Sequence, residues 1–341
     1  MKVNDRYSRQ ILFSEIGQRG QSALLTSTVL IIGCGALGSA QAESLARAGV
    51  GILRIADRDF VEPSNLQRQT MFTEKDAADR LPKAVACANH VRDINSEIQV
   101  DARVIDVNQS NIEELLNGCD VVLDGTDNFA TRYLINDACV KHRANWIYGA
   151  VVGSYGVTMT IRPDQTPCLR CVFPEPPNAA TAPTCDTAGV IMPIVSMISA
   201  IQVTEALKLL TMQTERLHQS LLQFDVWTNE WRRMKPGERQ EDCTTCGLRR
   251  FDTLAADAGA LAAVLCGRHA VQISPPNPMT VDLPALSRKL RAVGAVNSND
   301  YLLRFNAGEY ELTVFKDARS IIRGTDDIAT ARSIYAKYVG N

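Results

Sequence analysis

The sequence predicts an α/β fold: a mostly parallel sheet with helices on both faces, followed by a small C-terminal α+β module. Three observations predict it. Short β-branched apolar runs alternate with helix-length amphipathic stretches over the first 160 residues. The first run passes directly into a glycine-rich turn that opens a helix. Beyond residue 250 the order changes to strand-rich segments separated by Asn-, Gly- and Pro-containing turns. The domains expected are therefore 1–250 and 251–341.

Thr28–Ile32 reads as a buried parallel strand. Gly33, Gly35 and Gly38 follow in G-x-G-x-x-G spacing, then a helical pattern from Leu37 to Ala48 and a second strand, Ile52–Ala56, ending at Asp57. Each glycine has a physical role. Gly33 allows a tight turn, Gly35 leaves room for a phosphate at the backbone, and Gly38 permits close helix–strand packing. The helix N-terminus offers free N–H groups to an anion. Asp57, nineteen residues beyond Gly38, is placed to accept hydrogen bonds from a ribose. This is a Rossmann-like strand–turn–helix–strand, and it points to a bound nucleotide. A glycine turn used only for packing is the alternative.

The loop after Asp57 contains Asp59, Asn65, Gln67, Arg68 and Gln69, donors and charges suited to phosphates at a strand end. Lys83 follows Pro82 at the start of a helical stretch to Ile94, where it either adds charge to an anion site or is an ordinary surface lysine. Ile98–Ile105 alternates as a strand, Asn108–Asn117 suits a short helix, and Val121–Leu123 is a brief strand ending in DGTDN. Its two carboxylates, with Thr126 and Asn128, suit a divalent metal beside phosphates or a capped turn. Ala130–Lys141 reads as a helix, and Trp146–Ala150 and Val157–Ile161 as strands.

Ten cysteines are present. Cys168/Cys171 and Cys243/Cys246 form two C-x-x-C pairs with 71 residues between them, and together supply a closed four-thiolate zinc shell with no open position. A redox pair is the alternative. Cys34, Cys87, Cys119, Cys139 and Cys266 read as small core residues. Cys185 lies in Thr181–Thr187, which reads as a loop that would expose a nucleophile. Val190–Leu210 reads as a long buried helix.

In the tail, Phe251–Cys266 could include a helix and His269–Ile273 reads as a strand. Leu283–Val293 suits a helix, and Tyr301–Phe305, Glu309–Phe315 and Ser320–Ile322 suit antiparallel strands, closed by a helix over 326–338. No motif there can be tied to chemistry.

The chain has 341 residues, 45% hydrophobic and 22% charged, with net charge −2. This balance argues against nucleic acid as a bulk partner. The N-terminus, MKVNDRYSRQ, is polar and charged, unlike a signal peptide. The apolar stretch at Val190–Ile201 holds Pro193 and is too short to span a bilayer. The expected setting is cytoplasmic, with no membrane partner.

RYSRQ, GCGALG, DRD, SNLQRQ, LPK, DGTDN, the two C-x-x-C pairs and TCDTAGV occur in an order that resembles the E1-like adenylyltransferases of the ThiF/MoeB type, over residues 6–247. One departure is Ala36, where that family usually has a further glycine. The resemblance implies ATP at the glycine turn and adenylation of the C-terminal Gly-Gly carboxylate of a ubiquitin-like sulfur carrier, in thiamine or molybdopterin biosynthesis, with release of pyrophosphate. It implies a magnesium ion held by Asp127. Arg68 and Lys83 would act on the phosphates, Asn65, Gln69 and Asn128 would contact nucleotide, and Arg9 would act across a homodimer. Cys185 matches a cysteine that can join covalently to carrier or sulfur, with a sulfurtransferase as a further partner. A nicotinamide-dependent oxidoreductase using the same glycine motif and a non-catalytic E1-like subunit are the competing readings. The first lacks a catalytic His domain. The second is disfavoured by Arg9, Arg68, Lys83 and Asp127 standing in one chain.

Overall fold

The computed structural model describes residues 5–177, 185–255, 262–265, 269–275 and 279–340. The chain divides into two compact units, Met1–Ala256 and Asp257–Asn341.

In the first unit α1 (Ser8–Leu12) and α2 (Gly17–Leu24) precede β1 (Thr28–Ile32), α3 (Ala36–Ala48), β2 (Ile52–Asp57), α4 (Glu74–Asp79), α5 (Lys83–Ile94) and β3 (Gln99–Val104). Next come α6 (Ile112–Leu116), β4 (Val121–Asp124), α7 (Phe129–His142), β5 (Asn145–Val152) and β6 (Tyr155–Ile161). The unit closes with α8 (Leu169–Val172), α9 (Cys185–Ala188), α10 (Met192–Leu210), β7 (Leu221–Asp225), β8 (Glu230–Met234) and α11 (Asp252–Ala255). The eight strands run in the order β3-β2-β1-β4-β5-β6-β7-β8. β3 to β5 are parallel, and β6 to β8 join antiparallel.

Every residue of β1 is buried because both faces are covered. Val29 and Ile31 enter a core with Leu45 of α3, Val91 of α5 and Leu209 of α10. Leu30 and Ile32 enter the opposite core with Leu115 of α6 and Tyr133 and Ile135 of α7. The order 3-2-1-4 places a topological switch between β1 and β4, where successive crossovers leave to opposite sides and open a crevice at the carboxyl ends.

α10 has nineteen residues and, among the described residues, is the helix long and apolar enough to cross a membrane. It is longer than the apolar stretch read from sequence. It packs on α3, β5 and β6 and carries buried Ser199, Gln202 and Glu205, as a core helix does.

The β7–β8 hairpin was not legible in the sequence. All five β8 residues are exposed, so the segment shows no alternation.

The second unit contains β9 (Ala262–Leu265), β10 (Ala270–Ile273), α12 (Leu283–Arg291), β11 (Val296–Ser298), β12 (Leu302–Ala307), β13 (Tyr310–Phe315), β14 (Ser320–Arg323) and α13 (Ile328–Tyr338). The strands form one antiparallel sheet, β11-β12-β13-β14-β10-β9. Leu283, Leu286 and Leu290 of α12 and Ile334 of α13 share a core with Phe305, Val314 and Ile322. Among the described residues of Phe251–Cys266, the expected helix is the single turn α11, and Ala262–Leu265 is a strand, because β10 offers it a hydrogen-bonding edge.

Candidate active site

Three glycines close the switch between β1 and β4. Gly33 adopts φ +86°, and a Cβ there would stand 2.7 Å from the Gly125 carbonyl oxygen. A Cβ on Gly38 would stand 1.9 Å from Gly33 O, and one on Gly125 2.1 Å from the same atom. The first turn of α3 is thus pressed onto the ends of both strands. Gly35 is different. A Cβ there meets nothing nearer than Gln69 Nε2 at 3.9 Å, and Gly35 caps α3 without a side-chain hydrogen bond. Space and unsatisfied helix-start N–H groups coincide, which is the physical requirement of a phosphate cradle.

Asp57 ends β2 and is buried. Its Oδ2 accepts from the Cys34 backbone N at 2.6 Å and its Oδ1 from Asp59 N at 2.6 Å, so it ties the glycine turn to the next loop. Burial pushes its pKa up, and the nearby Lys83 ammonium pulls it back. Lys83 is the first residue of α5, with Pro82 as N-cap, and is 6% exposed. It is not a surface lysine. Its Nζ lies 3.5 Å from Asp59 Oδ2. Arg58 binds Asp106 at 3.1 Å and also feels Asp59 and Asp127.

Asn65 is buried, and its Oδ1 accepts from Glu62 N at 3.0 Å. Arg68 donates to Ser64 O at 2.8 Å. Gln69 is 3% exposed, and its Oε1 has no hydrogen-bond partner among the described residues. A buried, unsatisfied amide oxygen beside Gly35 is a place for a ligand donor.

Of the two DGTDN carboxylates, only Asp127 is presented to solvent. Asp124 is fully buried and paired with Arg132, Nε to Oδ2 3.3 Å. This corrects the reading in which both carboxylates are available to a metal. Asn128 caps α7, accepting from Thr131 N at 2.9 Å, and its Nδ2 lies 3.4 Å from Asp127 Oδ1.

Gly33, Gly35, Gly38, Asp57, Asp59, Lys83, Gln69 and Asp127 therefore stand around one crevice. Arg9 does not. Tyr7 packs on Gly49, the C-cap of α3, and Gln10 Nε2 donates to Ala48 O at 2.9 Å. α3 has thirteen residues, so this end lies about 20 Å from its phosphate-facing start. Arg9 is exposed there, beyond reach of its own chain's crevice. Cys185 begins the helical turn α9, which corrects the expected loop at that residue. Its side chain, with residues 181–184 and Cys266, lies outside what is described.

The four C-x-x-C sulfurs lie within 4.8 Å of one another, all buried. Cys168–Cys243 is 3.6 Å and Cys171–Cys246 is 3.3 Å. A zinc ion with Zn–S bonds of ~2.3 Å holds sulfurs about 3.8 Å apart, so the cluster fits with sub-ångström adjustment. Hydrogen bonds from Cys168 and Cys246 push the Cys171 thiol pKa down. Asp137 of α7, fully buried, accepts from Thr245 Oγ1 at 2.7 Å and Thr253 Oγ1 at 2.6 Å, bracing the second pair.

The model of the ThiF family matches residues 7–245. The chain belongs to this family. Within the ThiF family, a curated relative from Bacillus subtilis (strain 168), sulfur carrier protein ThiS adenylyltransferase, is 46% identical over 340 residues, 99% of this chain and 100% of that one. The SAMP-activating enzyme E1 of Haloferax volcanii is 40% identical over 250 residues, 73% of this chain and 91% of that protein. Among solved structures, E. coli MccB with ATP superimposes with TM-score 0.61 at 23% identity, covering 72% of this chain and 75% of that one, a likeness of fold. The family match ends at residue 245, whereas the Bacillus relative continues through the second unit.

Proposed function

We propose that this chain uses ATP to adenylate the C-terminal Gly-Gly carboxylate of a ubiquitin-like sulfur carrier, releasing pyrophosphate. The observation that carries the reading is the convergence of an open Gly35 cradle, buried Lys83 and solvent-facing Asp127 on one switch-point crevice. The full-length similarity to a ThiS adenylyltransferase favours the thiamine-type carrier.

A peptide α-carboxylate has a pKa of about 3.5 and is ionised at neutral pH, so attack on the α-phosphate needs no general base. The obstacle is one anion approaching another. Catalysis then rests on positioning and charge neutralisation. The α3 N–H groups cradle phosphate oxygens, Lys83 and Arg68 offset their charge, and Gln69 and Asn65 fix the triphosphate. Asp57 serves the ribose through its remaining lone pairs, with Asp59 and Asn128 as further nucleotide contacts. Asp127 is the residue that would hold magnesium, which supplies further charge neutralisation. Arg9 reaches the crevice of a second copy, making a homodimer with two composite sites. The four cysteines hold structural zinc, and their reduced state suits a cytoplasmic protein. Cys185 serves the later sulfur transfer from a separate sulfurtransferase, so Cys185→Ala spares adenylation and impairs sulfur loading.

The test is ATP–pyrophosphate exchange with purified protein, magnesium and candidate carriers. Exchange that needs one carrier with its terminal glycine intact supports the reading. ATP binding without exchange for any Gly-Gly carrier overturns it.

A further inference from the structure

Asp127 is exposed, so its position is only as fixed as the backbone of residues 124–128. That backbone is held from beneath at successive points. Gln41 Nε2 and Gln202 Nε2 both donate to the Asp124 carbonyl, at 2.9 and 3.0 Å, from α3 and α10. Gly125 N donates to Ile32 O at 2.8 Å. Asp124 Oδ1 accepts from Thr126 N at 2.9 Å and Thr126 Oγ1 at 2.7 Å. Arg132 Nη2 donates to Thr126 O at 2.7 Å, while its Nε faces Asp124 Oδ2. The guanidinium carbon lies over the rings of Phe129 and Tyr148, at 5.2 and 5.7 Å from their centroids. Asp124, Arg132, Gln41, Gln202 and Thr126 are all buried.

A buried ion pair is a poor source of stability, because desolvation offsets its attraction. What this pair supplies is geometry. A planar guanidinium bonding a side chain and the backbone two residues on ties the loop down at two points. We infer that Asp124, Thr126 and Arg132 are positioning residues that fix Asp127 for magnesium-bound ATP. The inference rests on the reading proposed above.

The test uses full-length Thr126→Val, which keeps the shape and removes the hydroxyl, and Thr126→Ser, which restores it. Arg132→Lys is the companion variant. ATP affinity is titrated calorimetrically with EDTA and with magnesium, alongside exchange kinetics. In Thr126→Val, ATP affinity in EDTA is unchanged, the magnesium-dependent gain in affinity falls about tenfold, and kcat falls similarly, as for loss of one hydrogen bond to a buried charge. The carrier KM stays constant, Thr126→Ser recovers, and Arg132→Lys follows Thr126→Val. An unchanged magnesium response in Thr126→Val, an equal loss in EDTA, or no recovery in Thr126→Ser overturns the inference. Wild-type protein that binds ATP but exchanges with no carrier overturns the proposed function instead, while the magnesium titration still judges the loop.

Discussion

The phenol ring of Tyr7 fills the space in which a Cβ on Gly49 would stand, with ring carbons 2.5 Å from that point. Its hydroxyl accepts from Asn95 Nδ2 at 2.8 Å, and the same amide donates to Ala46 O at 2.8 Å. Arg6 donates to Ile94 O at 2.8 Å. Three residues of RYSRQ, Gln10 among them, thus anchor the segment to the ends of α3 and α5. Arg9 is left outward-facing at the end of α3 opposite the glycine cradle. If Arg9 acts on ATP, it acts in another copy.

Subunit mixing decides this. Arg9→Ala and Lys83→Ala chains are each expected to lose exchange by at least about a hundredfold, the scale of one charge lost at a transition state. Mixed after reversible dissociation, they should regain about a quarter of wild-type activity, because half the dimers are hybrid and each hybrid has one intact site. No recovery on mixing refutes action of Arg9 across the subunits.

The glycine contacts predict a stability cost as well as a binding cost. Gly125→Ala drives a Cβ to 2.1 Å from Gly33 O and 3.0 Å from the Gly38 backbone, none of which is the end of a flexible side chain. The expected loss is at least about 2 kcal/mol in urea unfolding, with ATP affinity also reduced. Gly118→Ala is the control: it has φ +72° but nothing within 4 Å, so only backbone strain of about 1 kcal/mol is expected.

The contrast shows what was legible in the sequence. Gly33, Gly35, Gly38 and Asp57 could be read because one strand–turn–helix–strand unit sets their spacing locally. Lys83 could be placed at a helix start from Pro82, but not its burial, which needs Asp59 and Asp57 from another loop. Gly125 sits one residue past β4, as Gly33 sits one past β1, and that symmetry was a usable signal. Gln41, Gln202 and Arg132 gave none: buried polar residues on helices look like surface residues until the fold brings them to one carbonyl or one carboxylate. β8 and β9 were missed because edge strands of low apolar alternation owe their form to a neighbour.

The cysteine cluster predicts one zinc per chain by elemental analysis. Cys243→Ser should lower zinc content and destabilise the first unit by several kcal/mol, since metal binding is coupled to folding. Thr245→Val keeps all four sulfurs but removes the donor to Asp137. It should retain zinc with affinity weakened about tenfold in chelator competition. Full zinc retention in Cys243→Ser would refute the four-sulfur assignment.

The burial of His218 predicts an acid limit on the fold. Its ring lies 3.5 Å from Glu205 Oε2, its Nδ1 accepts from Ser220 N at 3.2 Å, and Lys208 and Arg233 stand nearby. Burial lowers its pKa below the ordinary 6.5; Glu205 opposes this, while Lys208 and Arg233 reinforce it. The folded state thus binds the proton less readily than the unfolded chain, so between the folded pKa and 6.5 the unfolded state carries more protons. Stability from this residue is fully present above pH 6.5 and declines as the pH falls below it, levelling off beneath the folded pKa. His218→Gln keeps an amide able to accept from Ser220 N but does not titrate. Urea unfolding between about pH 5 and 7.5 should show a smaller slope for His218→Gln than for wild type. Equal slopes would mean that His218 keeps the same proton affinity folded and unfolded, and that other groups set the acid limit.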